Sequence, residues 1–252
     1  TAVLAGGGFI GLEMAENLVE MGVSVTIVQR LKQLLAPLDA DMASFVHAEM
    51  RRHGVALRLD ETVTGFRQDG DSVLTLLEES EPLRSDMVLL AIGVTPDTHL
   101  AKEAGLELGI RGSIAVNERM ETGIRDIWAC GDCAELNGFN AALWTQAAAQ
   151  GRVAGANAAG GGETLGEFDR SLVLNGGEMS LFALGDLASD PQKQYECRRT
   201  ERTFQNFSIN TKPPHAIEKR FYCNGRITGG CILGNLSGME KMKREIAGGA
   251  KL

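Results

Sequence analysis

The opening stretch, TAVLAGGGFIGLEMAENLVE, constrains the fold of this chain more than any other. A short apolar strand at 2–5 leads into a glycine turn, and apolar residues at helical spacing then predict a helix that Gly22 closes. The turn places Gly6, Gly8 and Gly11 in the G-x-G-x-x-G register, and a second apolar strand, Val23–Val28, follows at once. This strand–turn–helix–strand order predicts a dinucleotide-binding α/β fold.

Each glycine of this loop has a physical reason for its position. Gly6 lets the chain turn sharply off the strand, Gly8 removes a side chain where a pyrophosphate approaches, and Gly11 lets the helix lie close on the sheet. The helix N-terminus adds free N–H groups and a partial positive charge. We therefore predict that the cofactor-binding residues of this loop are Gly6, Gly7, Gly8, Phe9, Ile10 and Gly11.

Composition and charge exclude several classes of function. The chain has 252 residues, of which 44% are hydrophobic and 23% charged, as is typical of a soluble globular protein. Its net charge of −8 argues against nucleic-acid or anionic-membrane binding. No apolar run approaches the length of a membrane span, and no signal-peptide pattern is present. We expect a cytoplasmic protein with its five cysteines reduced.

The residue that follows the second strand determines which nucleotide is bound. Dinucleotide folds usually place an acidic residue there to hold the ribose 2′-OH, but this chain has Gln29 followed by Arg30. Gln29 can donate to a hydroxyl, and Arg30 can meet a 2′-phosphate or simply face solvent. The residues alone leave NADH and NADPH open.

A second helix and several strands follow. Leu38–Arg52 is predicted as a helix with Asp39 as its N-cap, and His47 and His53 as surface residues. Asp69-Gly70 predicts a hairpin, and the apolar run Asp86–Ile92 predicts a buried parallel strand. Further strands are predicted at 55–59, 62–68 and 72–77.

Two strand ends carry candidate ligand contacts. The run at 86–92 leads into Gly93-Val94-Thr95-Pro96, where small residues clear room at the edge at which open α/β sheets bind ligands. A short strand at Ile127–Ala129 ends in Gly131-Asp132, whose carboxylate can accept hydrogen bonds from a polyol. An Ala-rich helix is predicted over Ala141–Ala159, and three glycines at 160–162 mark a candidate domain boundary.

The remaining residues predict a smaller α+β unit. Asn224-Gly225 is a hairpin signal, and a helix with a basic, solvated face is predicted over Gly238–Ala247. The segment 212–215 is predicted as a loop without a catalytic role. Strands are predicted at Leu172–Leu174, Met179–Leu184, Thr203–Ile209, Ile217–Cys223 and Arg226–Leu233.

Several side chains admit two interpretations. Cys130 and Cys133 have the C-x-x-C spacing of a redox dithiol or half a zinc site, but no second such pair exists, so we expect neither use. Glu13 either complements the helix dipole or faces the reacting end of a nucleotide. Trp144 and Phe139 either pack or stack on a flat ring.

Three separated stretches carry a family resemblance. AGGGFIGLEMAENL, DMVLLAIGVTPDT and ETGIRDIWACGDCAE occur in the order and spacing of pyridine nucleotide-disulfide oxidoreductase flavoproteins, which the chain resembles over residues 1 to about 160. ALWTQAAAQGRVAGANAAGG and YCNGRITGGCILGN resemble the branch with NADH:rubredoxin reductases, NADH oxidases and the flavoprotein part of nitrite reductases. The family's N-terminal FAD fingerprint is absent, and the chain begins without Met on a strand that should be buried. We therefore expect a piece of a longer polypeptide that is inactive by itself and holds FAD weakly or not at all.

The resemblance implies an organisation and a set of roles. It implies an α/β chain with a Rossmann-type NAD(P)-binding domain (1–119), the second part of an FAD-binding domain (120–162) and a small α+β C-terminal interface domain (163–252). Glu13 would be the catalytic residue, close to the nicotinamide and the flavin. The other implied contacts are the glycine loop with the NAD(P) pyrophosphate, Gly93 and Pro96 with the nicotinamide, Gly131 and Asp132 with the FAD ribitol, and Trp144 with the flavin pyrimidine edge.

The resemblance also limits the function. It implies hydride transfer from NAD(P)H, with NADH slightly preferred by family habit, to FAD, and then to rubredoxin, oxygen, a nitrite reductase centre or a disulfide. The His-Pro…Glu signature of glutathione and lipoamide reductases is missing, which argues against their dithiol chemistry. A homodimer is compatible with the family. The alternative is a non-catalytic NAD(P)-binding regulatory or interaction module, and a weaker one is a zinc scaffold on Cys130 and Cys133.

Overall fold

The structure is a computed structural model that describes residues 1–140, 142–166, 169–175, 180–190, 192–203 and 215–251. The chain divides into two compact units, one formed by Thr1–Gly93 with Ser171–Leu252 and the other by Val94–Arg170. The predicted domain limits at 119 and 162 remain predictions.

The described elements alternate between helices and strands in the first half of the chain and are mostly strands afterwards. In chain order they are β1 (Ala2–Ala5), α1 (Phe9–Glu20), β2 (Val25–Gln29), α2 (Ala40–Arg52), β3 (Ala56–Leu59), β4 (Val63–Asp69), β5 (Ser72–Leu77), β6 (Leu83–Ser85), β7 (Met87–Leu90), α3 (His99–Glu103), β8 (Ile114–Val116), β9 (Ala134–Leu136), α4 (Trp144–Ala158), β10 (Leu172–Asn175), β11 (Ser180–Gly185), β12 (Tyr195–Thr203), β13 (His215–Cys223), β14 (Arg226–Gly234) and α5 (Met239–Ala247).

The larger unit contains three sheets. Four parallel strands are ordered β3-β2-β1-β7, an antiparallel sheet is ordered β4-β5-β6, and a five-stranded antiparallel sheet is ordered β10-β11-β14-β13-β12. The smaller unit contains α3, α4 and the parallel pair β8-β9. The predicted fold class, a Rossmann-type parallel sheet followed by a strand-rich α+β region, is confirmed.

Local sequence signals determine where α1 ends and where two hairpins turn. Leu12, Ala15 and Leu18 form the buried stripe of α1. The helix ends in a Schellman pair, in which Gly22 N–H donates to Val19 O and Val23 N–H to Leu18 O, both at 2.9 Å. The predicted hairpins are also present, because Asp69 pairs with Ser72 and Cys223 with Arg226 across their turns.

One large core joins the two segments of the larger unit. Leu4 and Ile27 of the parallel sheet pack in the same cluster as Met42 of α2 and Leu181 and Phe221 of the five-stranded sheet. Burying each of these large side chains contributes about 1.5–3 kcal/mol, so this shared core is the main attachment between the segments.

An ion-pair network reinforces that attachment at the start of α2. Lys219 of β13 has a side chain only 10% exposed and donates to Asp39 at 2.5 Å and to Asp41 at 3.0 Å, while Arg199 of β12 pairs with Asp41 at 3.2 Å. Asp39 occupies the predicted N-cap position, but its side chain makes no capping hydrogen bond. The capping prediction is therefore wrong in its chemistry, because Lys219 takes the carboxylate.

The apolar run at 86–92 forms a parallel strand that is not buried. Strand β7 pairs with β1 on one side and lies at the edge of its sheet, where Leu90 is 59% exposed. Hydrophobicity predicted the strand correctly but cannot distinguish a central position from an edge.

Other predictions differ from the structure. At Ile127–Ala129 only Trp128 makes an isolated bridge, to Glu121, so the predicted strand is not formed. Strand β12 covers Tyr195–Thr203 and includes only Thr203 of the strand predicted there, because its charged residues lie on an exposed edge and lack the apolar alternation used for prediction. Residues 204–209, the loop at 212–214, Ala141 and Met179 lie outside the described residues.

The histidines predicted at the surface are half-buried. His47 accepts a hydrogen bond at Nε2 from Leu34 N–H at 3.0 Å, and burial lowers the pKa of His47, which favours the neutral acceptor. His53 Nε2 lies 3.1 Å from Glu49 Oε1.

In the described part of the chain, no helix combines the length and apolar character that crossing a bilayer requires.

The carboxyl group of Glu16 is buried on the core-facing side of α1. Its side chain is 6% exposed, and neither carboxylate oxygen has a hydrogen-bond partner among the described residues. The pKa of Glu16 is raised to about 7, mainly by burial; His53 lowers it, and the nearby carboxylates of Glu20, Glu13 and Glu49 add to the rise.

We expect Lys219→Met to lower the free energy of unfolding by about 2 kcal/mol at pH 7, because it leaves the Asp39 carboxylate without its cation and Asp41 with Arg199 alone. Urea unfolding measures this, with Lys241→Met, an exposed ion-pair partner, as the control that changes it by less than about 0.5 kcal/mol. The hydrogen bond from Lys219 lowers the pKa of Asp41, so this contribution is complete above the ordinary Asp pKa and is lost as the pH falls below it. If both variants lost the same free energy of unfolding, the Lys219 network would contribute no more to stability than an exposed ion pair.

We expect Glu16→Gln to stabilise the protein in a pH-dependent way. The folded-state pKa is raised, so the stability from the protonated acid is complete below pH 4.5 and disappears as the pH rises through about 7. The variant should gain about 2 kcal/mol at pH 8 and less than about 1 kcal/mol at pH 5 in urea titrations. Glu81→Gln, a change of an exposed carboxylate that does not act on Glu16, is the control. If the variant gained no more free energy of unfolding at pH 8 than at pH 5, the raised pKa of Glu16 would be wrong.

Candidate nucleotide-binding site

The glycine loop between β1 and α1 is held by close backbone approaches. Gly6 has a φ of 111°, and a Cβ there would lie 2.3 Å from Ala91 O. A Cβ on Gly11 would lie 2.1 Å from Gly6 O. Both distances are far shorter than real contacts, so neither position admits a side chain. The two glycines therefore bring the start of α1 directly against the end of β1.

Gly8 differs from its neighbours because it faces open space. A Cβ at this residue would have no atom within 4 Å, and Gly8 is the N-cap of α1. The first N–H groups of a helix have no intrahelical acceptor, so the opening lies where backbone donors and the helix dipole attract an anion. This combination fits a dinucleotide pyrophosphate, as the sequence predicts.

Gly7 is held by hydrogen bonds with the last residue of β2 and with the segment that follows it. Its N–H donates to Gln29 Oε1 at 3.3 Å, and its carbonyl accepts from Leu35 N–H at 2.8 Å. Gln29 Nε2 donates in turn to Gln33 O at 3.2 Å. Together with the bond from Leu34 N–H to His47, these contacts tie the loop to α2. The sequence analysis missed Gln33, Leu34, Leu35 and His47, because nothing in their residue types signals support of a loop.

Most of the other residues of the larger unit that were predicted to bind the cofactor are exposed. Phe9 packs against the large core, whereas Ile10 is 61% exposed. Glu13 is exposed on the second turn of α1, and Arg30 is exposed just beyond β2. Gly93, with a φ of 100°, ends the first segment of this unit.

The smaller unit holds the residues predicted to contact a flavin. Gly131 has its N–H bonded to Gln150 Oε1 at 2.8 Å, and the carbonyl of Asp132 accepts from Asn140 Nδ2 at 2.7 Å. Gln150 and Asn140 are buried and so fix this backbone, while the Asp132 side chain is exposed. The Asp132 carboxylate is thus available to a polar ligand, and the two buried amides are positioning residues that the sequence analysis did not assign.

Trp144 is the first residue of α4 and is 88% exposed. An indole this exposed does not pack among the described residues, and its contact with a flat ring remains a prediction. Phe139 is different, since Arg170 lies over its ring at 4.6 Å. Pro96 also belongs to this smaller unit.

The C-x-x-C pair has the features of inert thiols. Cys133 Sγ donates to Cys130 O at 3.3 Å, and burial raises the pKa of Cys133, which disfavours the reactive thiolate. All five cysteines are described and none forms a disulfide. Within the described ranges, no three His, Cys, Asp or Glu side chains are placed to hold a metal ion.

Comparison with known proteins identifies the family of the chain. Residues 1–151 match the family model described as pyridine nucleotide-disulphide oxidoreductase. The chain is 32% identical over 203 residues to the NADH-rubredoxin oxidoreductase of Clostridium acetobutylicum, covering 80% of this chain and 50% of that protein. It is 36% identical over 166 residues to the NAD(P)H sulfur oxidoreductase (CoA-dependent) of Pyrococcus abyssi, covering 63% and 36%.

Solved structures give the same assignment. Reduced CoADR-RHD from Bacillus anthracis is 30% identical, with a TM-score of 0.86 over 99% of this chain and 47% of that one. The NAD-dependent persulfide reductase from A. fulgidus is 26% identical, with a TM-score of 0.87 over 99% and 49%. The chain thus spans about half the length, or less, of each of these four proteins. The chain belongs to the pyridine nucleotide-disulphide oxidoreductase family.

Proposed function

We propose that this chain binds NAD(P)H and serves within an FAD-dependent oxidoreductase that passes hydride from the nicotinamide to the flavin. The observation that carries the proposal is the opening at Gly8 beside the N-terminus of α1, with Gly7 fixed by Gln29 and Leu35. The protein's part in the reaction is to hold and orient the nucleotide, since positioning of the reacting groups dominates such transfers.

The residues of the smaller unit fit the flavin side of the same proposal. A bound flavin supplies the two-electron chemistry of the reaction. Asp132 would hold its ribitol, on a backbone kept in place by Gln150 and Asn140, and the exposed Trp144 would lie beside its ring. Glu13 is proposed to lie close to the nicotinamide, where its charge orients the reacting ends.

The names of the relatives indicate what kind of electron acceptor the proposed oxidoreductase would use. Relatives of this chain are named for rubredoxin and for sulfur, and another, from Methanocaldococcus jannaschii, is named NADH oxidase. We propose a small redox protein or a small molecule, among them rubredoxin, oxygen, a nitrite reductase centre or a disulfide. NADH as the slightly preferred donor, a homodimer and a cytoplasmic location stay predictions from the sequence.

A second candidate function is a non-catalytic NAD(P)-binding regulatory module. It is favoured by the fact that the glycine loop and all the contacts that fix it lie in one compact unit. Flavin content of the natural gene product distinguishes the two functions, because only the oxidoreductase needs it.

We expect Gly8→Val to weaken binding of NADH and NADPH by at least about tenfold, because the branched side chain fills the opening where the pyrophosphate approaches. Gly8 has a φ of −84°, which Val adopts readily, so the melting temperature should not change. Isothermal titration calorimetry on this chain measures the affinities. Gly155→Val is the control, since Gly155 is exposed on α4 and a Cβ there also meets nothing within 4 Å. If the well-folded chain bound neither nucleotide, the proposed function would be wrong.

We expect the product of the natural reading frame that contains this sequence to show a visible flavin absorption band after purification. Asp132→Ala in that product should lower the flavin bound per chain several-fold, because the ribitol loses its carboxylate partner. Glu118→Ala removes another exposed carboxylate of the same unit and should leave flavin content unchanged. A colourless product would favour the regulatory module.

A further inference from the structure

We propose that His47 of α2 is a positioning residue for the nucleotide. Its neutral imidazole holds segment 33–38 against the glycine loop, and protonation of that imidazole releases the segment and weakens nucleotide binding. The inference rests on the proposed nucleotide binding and goes beyond it by naming a group outside the loop that regulates affinity. It follows from the hydrogen bonds that lead from the loop through this segment to α2.

Segment 33–38 lies directly against Gly7. The Gly7 carbonyl accepts from Leu35 N–H at 2.8 Å, and a Cβ on Gly7 would lie 2.3 Å from Leu34 Cδ2. The orientation of the Gly7 peptide therefore depends on where the segment lies. The next residue is Gly8, the open position that the pyrophosphate is proposed to approach. A shift of the segment would thus change the direction of the N–H groups that are offered to the phosphates.

The shape of segment 33–38 needs support from its surroundings. Leu35 has a φ of 50°, in the left-handed region that residues other than glycine rarely adopt, and such a backbone persists only where neighbouring structure fixes it. Within the segment, Leu38 N–H donates to Leu35 O at 2.8 Å, and Gln33 Nε2 donates to Leu38 O at 2.7 Å. These bonds close the turn on itself, so they do not determine how it lies against α2.

His47 supplies a directional contact between the segment and α2. Its Nε2 accepts a hydrogen bond from Leu34 N–H at 3.0 Å. An imidazole nitrogen accepts only when it bears no proton, so this contact requires the neutral ring with its proton on Nδ1. Leu34 is fully buried, and a buried backbone N–H that loses its acceptor costs free energy comparable to a lost hydrogen bond. Protonation at Nε2 would also set two donors against each other, so the segment would separate from α2.

The charges around His47 favour the neutral ring. Burial lowers the pKa of His47, and the positive charge of Arg51, one turn further along α2, lowers it further. Segment 33–38, QLLAPL, contacts the ring and has no titratable side chain. Because the pKa of His47 is lower when the contact is made, the contact is complete above the ordinary His pKa and is lost as the pH falls below it.

Release of the segment lowers affinity because fewer chains have a loop that is ready to bind. A ligand that binds only the closed loop has an apparent dissociation constant equal to its intrinsic constant divided by the closed fraction. The coupling is reciprocal, so a bound nucleotide keeps the segment closed and keeps His47 neutral. Nucleotide binding in mild acid should therefore release protons.

The test is calorimetry on this chain with ADP-ribose, which keeps the pyrophosphate and lacks the acid-labile dihydronicotinamide. We expect the affinity to fall at least about threefold between pH 7.5 and pH 5. His47→Gln keeps an acceptor oxygen at nearly the same reach and does not titrate, so its affinity should stay within about twofold over this range. Glu16 also titrates here, but it is present in every chain compared, so the difference between them isolates His47.

Two further variants complete the test. His47→Leu removes the acceptor at every pH, so it should weaken ADP-ribose binding at least about threefold at pH 7.5 and then show little dependence on pH. His99→Gln makes the matched change at a histidine whose side chain is 74% exposed in the smaller unit, and it should keep the pH profile of the unchanged chain.

A pH-independent affinity of the unchanged chain, or an equal fall on acidification in His47→Gln, would overturn this inference and leave the proposed function intact. Circular dichroism at each pH identifies the chains that are folded, and the His47→Gln comparison decides the matter even where His47→Leu does not fold. Failure of the unchanged, folded chain to bind ADP-ribose, NADH and NADPH at pH 7.5 would instead overturn the proposed function.

Discussion

The close approach of Gly11 to Gly6 is the constraint on which the site depends. A single methyl group at residue 11 would occupy the position of the Gly6 carbonyl, so the helix can begin where it does only with glycine there. That start places the free N–H groups of α1 at the carboxyl end of β1, beside the open face of Gly8. The anion-attracting geometry is thus a consequence of backbone packing, without any charged side chain.

Packing and charge have different roles in holding the larger unit together. The shared core of α1, α2 and the two large sheets contributes several side chains, each worth about 1.5–3 kcal/mol, and dominates the attachment. The Lys219 network contributes less after desolvation, but it is directional, because its atoms meet only when β13 faces the start of α2. Since α2 also carries His47, which holds Leu34, the strand-rich segment indirectly supports the glycine loop.

The sequence predicts features that depend on local chemistry and fails where the outcome depends on neighbours. The glycine loop, the end of α1 at Gly22 and the turn at Asn224-Gly225 each need only a few adjacent residues, and all are present. The exposure of β7 depends on its place at the edge of the sheet, which no residue in that strand encodes. Strand β12 escapes prediction for a related reason, because an exposed edge tolerates the charged residues that hide its pattern.

In the candidate site too, the sequence predicts which position matters, but the role of its side chain depends on its neighbours in the structure. Sequence reasoning identifies position 29 as the determinant of nucleotide choice and notes that the charge is missing, but residue type alone leaves Gln29 equally able to contact a ribose. The structure shows that amide bonded to Gly7 and Gln33, so it stabilises the shape of the phosphate loop. The Arg30 guanidinium next to it stays exposed, while the backbone on either side of Arg30 is held by hydrogen bonds. The neutral Gln29 therefore gives the loop two hydrogen bonds and leaves no negative charge at the end of β2.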